Sequence, residues 1–217
     1  MTIPNALTLF RLASAPIFLI LFIGTGKEGF LESYIGAQTG ILLCIIVAGL
    51  SEVSDILDGI LARKWNQVSD FGKILDPYAD SAFRLSCFFA FASQAHGRWI
   101  PLWMAMLLLY RDLMVTVIRS FGIERREFVS ARASGKIKAI AQGTVAITVM
   151  VVAYIRGGDY VAYDAPTKDI IFTNLAYTLM WVVTVVTSWS AWDYFWGNKH
   201  LFNLGATPDK NKVEEDQ

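Results

Sequence analysis

Apolar residues fall in long runs along this chain, separated by short polar stretches, and the run lengths carry the first structural information. Runs near 5–24, 38–61, 74–95, 99–120, 137–155 and 170–192 each approach the roughly 20 residues with which a helix crosses the hydrocarbon core of a bilayer. The pattern predicts an all-α, polytopic membrane protein with six transmembrane helices, since a membrane-spanning backbone must satisfy its own hydrogen bonds. Residues 1–200 read as one six-helix domain, and residues 201–217 as a polar tail with too little apolar material to pack. No basic residue precedes the first run, and it outlasts a signal-peptide core, so it reads as a retained first span.

Composition agrees with this picture: 54% of the 217 residues are hydrophobic and 18% are charged, with a mean hydropathy of +0.43. Lys and Arg equal Asp and Glu at 19 each, so no overall field points to nucleic acid, and charge is informative only through its placement. Basic residues in short loops orient a membrane protein. Arg63, Lys64 and Lys73, then Arg119, Arg125, Arg126, Arg132, Lys136 and Lys138, lie on one side, against Lys27, Arg98, Arg156 and Lys168 on the other. Nine against four puts the first set, both termini and the tail on the cytoplasmic side of the cell membrane. Cys44 and Cys87 sit inside apolar runs without metal-ligand or redox spacing and are expected to be inert. The loop 156–169 is longer than this topology requires, and the sequence offers no role for it.

The costly feature lies between the second and third runs, where "SDILDGILARKWNQVSDFGKILDPYAD" holds Asp55, Asp58, Asp76 and Asp80. On a helix Asp55 and Asp58 share a face, and Gly72, Asp76 and Asp80 form a line on the next helix, with Pro77 expected near that helix's start. The short connection over 62–73 predicts antiparallel neighbours that bring the four carboxylates together. An intramembrane carboxylate is costly, and clustered carboxylates repel; a bound divalent cation removes both penalties. Oxygen-only ligands favour a hard ion such as Mg²⁺. Helix capping in a solvated loop is the plain alternative, and an ion-coupled transporter is the non-enzymatic one. The small residues Gly59, Ala62 and Gly72 leave room for a bulky ligand, which a transporter would not require, and no inverted repeat is visible.

Asp55, Asp58, Gly59, Ala62, Arg63, Gly72, Asp76 and Asp80 fill every fixed position of D-x2-D-G-x2-A-R-x8-G-x3-D-x3-D, so the stretch resembles the signature of the CDP-alcohol phosphatidyltransferases. The resemblance implies an integral membrane enzyme, usually a homodimer, that moves a phosphatidyl or similar group from a CDP-linked donor to an alcohol and releases CMP. It implies that Asp55, Asp58 and Asp76 hold two Mg²⁺ or Mn²⁺ ions, with Asp80 as a further ligand or the general base. Gly59, Ala62, Arg63 and Gly72 would then receive the nucleotide. At the start of the first run, "PNALTLFRL" places Asn5, Thr8 and Arg11 on one helical face; this resembles bacterial members of the family, which implies a donor-site role for Asn5 and Thr8. A capped helix start with an interfacial Arg11 is the alternative.

The acceptor is addressed by Arg111, inside an apolar run, by Arg119 near the same helical face, and by Lys136 and Lys138 at the start of the fifth run. Such a cluster suits a phosphorylated acceptor, because Arg forks and Lys point charges bind a dianion. Arg125, Arg126 and Arg132 are accounted for by orientation or anionic lipid alone. Arg111, Asp112, Val115, Thr116 and Arg119, followed by Gly135, Lys136, Lys138 and Gln142, form a pattern similar to that of the phosphatidylglycerophosphate synthases within the family. That similarity implies CDP-diacylglycerol as donor and sn-glycerol 3-phosphate as acceptor. Inositol phosphate, serine and phosphatidylglycerol are the sibling acceptors.

Overall fold

In the computed structural model, which describes residues 3–65, 70–124, 132–157 and 170–202, every one of the six apolar runs is helical. The helices are α1 (Ile3–Gly24), a short α2 (Glu32–Ile35), α3 (Ala37–Lys64), α4 (Asp70–Ala92), α5 (Leu102–Glu124), α6 (Ala133–Ile155) and α7 (Ile170–Gly197), followed by a 3-10 turn at Lys199–Phe202. At the end where the aspartates and basic residues lie, α3, α4, α5, α6 and α7 each outrun the apolar stretch by three to five residues. Hydropathy marks where side chains are apolar. A helix continues beyond that wherever its polar side chains find partners. Pro77 accordingly lies inside α4 rather than in its first turn.

Four of the described helices are long and apolar enough to cross a membrane: Asn5–Gly24, Ala37–Asp55, Ala133–Ile155 and Leu175–Gly197. α4 and α5 fall short of that composition because charge interrupts them, with Asp76, Asp80 and Arg84 in one and Arg111, Asp112 and Arg119 in the other. Among the described residues the fold is all-helical.

The packing corrects one expectation. Among the described residues, α3 and α4 do not chiefly meet each other; α1 is the main partner of both, lying along each of them. The reason is visible in the core, where Phe18 and Phe22 of α1 are fully buried against α4 and its following turn. Phe18 meets Phe83 edge-on at 5.7 Å, and Phe22 meets Trp99 at 5.3 Å and 81°. Such edge-to-face pairs add to the area that they bury. Cys44 and Cys87 are free thiols within this core. α6 packs on α7 and α3, and α5 on α7 and α4, which closes the bundle.

The end of the bundle away from the charged residues is fixed by backbone. Lys27 N–H donates to the Ala95 carbonyl at 2.6 Å, the His96 ring to the Phe22 carbonyl at 3.0 Å, and the Trp99 indole to the His96 carbonyl at 3.0 Å. A Cβ on Gly26 would lie 2.5 Å from the Ala95 carbonyl oxygen, so only glycine permits this approach. The opposite end holds the charges.

Candidate active site

Three of the four aspartates converge on one face of α1. Thr8 and Arg11, one turn apart and both buried, point between α3 and α4. The Arg11 guanidinium forks across two carboxylates, with Nη1 on Asp55 and Nη2 on Asp58. Thr8 Oγ1 donates to Asp76 Oδ1 at 2.6 Å. A fully buried guanidinium is strongly unfavourable unless paired, so the pair of acids one turn apart on α3 explains why α1 can carry Arg11 at all. The fourth aspartate faces elsewhere: Asp80 pairs with Arg84 one turn further along α4. Gly72 is buried near the start of α4, and Asn5 stands one turn before Thr8 on α1. The side chains of Gly59, Ala62 and Arg63 lie outside the described residues.

Beyond Asp80 opens a cavity of about 610 Å³ between α4, α5, α6 and the end of α7. Asp80 and Arg84 form part of one wall, and Arg111, Arg119, Lys136 and Lys138 lie in the walls contributed by α5 and α6. The four basic residues picked out in sequence therefore share one enclosure with the aspartate proposed as base. Six basic side chains line it against two carboxylates, Asp80 and Asp112. Arg111 is 8% exposed, and Asp112 Oδ1 accepts from both Arg111 Nη1 at 3.0 Å and Lys138 Nζ at 2.7 Å. This triad makes two buried cations tolerable while leaving net positive charge facing the cavity. Gly135 at the start of α6 lies beside Arg111, whose Nη2 would be in ordinary van der Waals contact with a Cβ there.

Several residues of this site carried no assigned role in the sequence. Arg11 was on the expected face but not expected to span the first two aspartates. Arg84 could have been found by its i,i+4 spacing from Asp80 inside an apolar run. Arg132, assigned to topology, lines the cavity and pairs with Asp193 at 2.8 Å, and Ser134 donates to the same carboxylate at 2.6 Å. No periodicity could have announced Asp193, because its partners lie about sixty residues away.

The donor set suits a hard cation, being all carboxylate oxygen, and the Asp55–Asp58 pair already accepts one cationic group. Among the described residues, however, no three Asp, Glu, His or Cys side chains are gathered into a ready cage. Metal binding at Asp55 and Asp58 would have to draw them away from Arg11.

With this geometry in hand, likeness to known proteins becomes decisive. Residues 1–189 match the CDP-alcohol phosphatidyltransferase family. The chain belongs to that family. It is 28% identical to a CDP-diacylglycerol–glycerol-3-phosphate 3-phosphatidyltransferase of Sodalis glossinidius, over 92% of this chain and 96% of that protein. To the Bacillus subtilis protein of the same name it is 32% identical over 89% of this chain and 93% of that one. A cardiolipin synthase (CMP-forming) of Streptomyces coelicolor is 40% identical over a shorter stretch, 58% of this chain and 53% of its own. This CDP-alcohol phosphatidyltransferase is thus an enzyme, a transferase of phospholipid biosynthesis with membrane-type helices.

Proposed function

We propose that the enzyme transfers the phosphatidyl group of CDP-diacylglycerol to sn-glycerol 3-phosphate, forming phosphatidylglycerophosphate and CMP. The observation that carries this reading is the single cavity with Asp80 in one wall and Arg111, Arg119, Lys136 and Lys138 in the others. An acceptor phosphate held by the basic walls presents its glycerol hydroxyl toward Asp80. Asp80 takes the hydroxyl proton, the oxygen bonds to the phosphatidyl phosphorus, and the bond from that phosphorus to the CMP oxygen breaks. Arg84 fixes the Asp80 carboxylate in the wall. Asn5, Thr8, Gly59, Ala62, Arg63 and Gly72 are assigned to the nucleotide and donor, on the aspartate side of Asp80.

Asp55, Asp58 and Asp76, with Asp80 at their edge, would hold Mg²⁺ or Mn²⁺, the hard ions that carboxylate oxygens favour. Two such ions would supply charge neutralisation at the pyrophosphate. We further propose six membrane spans with both termini and the site on the cytoplasmic side of the cell membrane, and a homodimer. The loop-charge asymmetry and the shared polar end of α3, α4, α5, α6 and α7 support the orientation.

A cardiolipin-forming reaction, with phosphatidylglycerol as acceptor, is the second reading; the higher local identity to the Streptomyces coelicolor protein favours it. The cavity argues for the first, because six cations against three carboxylates, the Asp193 that pairs with Arg132 included, leave an excess of positive charge that suits a phosphomonoester dianion better than a phosphodiester monoanion. Purified enzyme incubated with CDP-diacylglycerol, Mg²⁺ and each acceptor in turn separates them by CMP release. Release with glycerol 3-phosphate is expected; release only with phosphatidylglycerol would overturn the reading, and no release with any acceptor would overturn the assigned chemistry.

A further inference from the structure

Thr184, Thr187, Ser190 and Tyr194 are all buried on α7, at spacings that keep them on one stripe of the helix. Thr184 is satisfied within its own helix, donating to the Met180 carbonyl at 2.8 Å. The other three meet residues of the basic motif. Gln142 donates to Thr187 Oγ1 at 3.3 Å, Arg111 Nη2 to Ser190 Oγ at 2.7 Å, and Arg119 Nη2 to the Tyr194 hydroxyl at 3.3 Å. The Tyr194 ring also receives both guanidiniums, with the Arg111 and Arg119 Cζ atoms 5.8 and 6.0 Å from its centroid. Ser190 and Tyr194 lie just past residue 189, where the match to the family ends.

We infer that Tyr194, seconded by Ser190, is the positioning residue of the acceptor-phosphate site. It holds the Arg111 and Arg119 guanidiniums at a fixed separation on the cavity wall. The inference rests on the reading that the acceptor carries a phosphomonoester. Two guanidiniums with no ligand repel each other, and each has a long, flexible stem whose rotamer freedom is lost on binding. A carboxylate already draws on one of them, since Arg111 shares Asp112 with Lys138. A buried aromatic face between the two cations attracts both without neutralising either. A carboxylate in that place would compete with the ligand. Tyr194 is 1% exposed, so the ring itself is immobilised and passes that order to the arginines.

The test uses the full-length enzyme in mixed micelles with CDP-diacylglycerol, following CMP release while glycerol 3-phosphate is varied. Tyr194→Phe keeps the ring and loses the hydroxyl that accepts from Arg119; the KM for glycerol 3-phosphate rises about threefold to tenfold. Tyr194→Leu loses ring and hydroxyl together and raises it further, about thirtyfold or more. In both, kcat and the KM for CDP-diacylglycerol stay within about twofold of wild type, the split expected of a residue that acts only through the acceptor's ligands. Isothermal titration of glycerol 3-phosphate into the donor-free enzyme follows the same order. A fall in kcat with unchanged KM, or equal affinity in wild type and Tyr194→Phe, overturns the inference; the Phe variant decides the matter if the Leu variant loses its thermal transition. Wild-type enzyme that never turns over glycerol 3-phosphate overturns the acceptor reading itself, whereas turnover with unaffected variants overturns only the role of Tyr194.

Discussion

The acidic and basic halves of the site sit side by side but are assembled differently. Asp55, Asp58, Asp76 and Asp80 come from 26 consecutive residues on two consecutive helices, and three of them are gathered by one neighbour, α1, through Thr8 and Arg11. The cations come from α5 and α6: Arg111 and Arg119 are held by α7, through contacts 79 and 75 residues apart in sequence, and Lys138 by Asp112 of α5. In the acidic half the charges themselves are the motif, and the partner is an accessory. In the basic half the charges are common residue types, and their geometry is set by the partner. Damage to the acidic half should therefore remove chemistry, and damage to the basic half should mainly remove affinity.

The largest effect tests that division at the boundary residue. Asp80→Asn keeps the shape of the wall and removes the proton acceptor, so CMP release should fall about a thousandfold while CDP-diacylglycerol binding is retained. Full activity in this variant would sink the base assignment; lost donor binding would move Asp80 into the donor site. Next in size, Arg111→Ala removes a charged partner of the acceptor together with the neutralisation of Asp112, and the KM for glycerol 3-phosphate should rise about tenfold to a hundredfold. A fall in kcat alone would break the comparison, because it would place Arg111 in the chemical step.

How much of this could be read beforehand follows from the same contrast. Helical type was legible because long apolar runs report helices directly, although four of the described helices, not six, are apolar enough to cross a membrane; the aspartate pairs were legible because local spacing decides which face they share. The end of α7 was not: it reaches Gly197, five residues past its apolar run, and Tyr194 there finds a partner that hydropathy does not register. The insertion of α1 along both α3 and α4 was also hidden, since a short connection predicts adjacency in sequence order and says nothing of a third helix taking the better-packed place. Asp193 and Ser190 were invisible for a simpler reason: each is an ordinary polar residue until the partner from another helix is known.

A smaller effect probes the accessory in the acidic half. Arg11→Gln leaves Asp55 and Asp58 without the guanidinium they share, which should cost about 1–2 kcal/mol of stability in metal-free enzyme, discounted because Asp55 is 46% exposed. Added Mg²⁺ should then raise the melting temperature of the variant more than that of wild type, since the ion no longer has to displace an internal cation. An equal Mg²⁺ response in both proteins would mean that the metal does not enter where Arg11 now sits.

The smallest effect is reserved for the far end of α1, where His96 fastens the helix that carries Thr8 and Arg11. Burial pushes the His96 imidazole down to about 4, against the opposing pull of the Phe22 carbonyl that it donates to and of Glu32. In the unfolded chain the same ring titrates near its ordinary 6.5. The folded state therefore holds it neutral, and the unfolded state takes up the proton first as pH falls. Its contribution to stability is complete above pH 6.5 and is lost progressively between 6.5 and 4, about 1 kcal/mol of it by pH 6. Thermal melts of wild type and His96→Gln across this window should differ in slope, with the variant flatter. Coincident slopes would show that His96 does not couple protonation to folding.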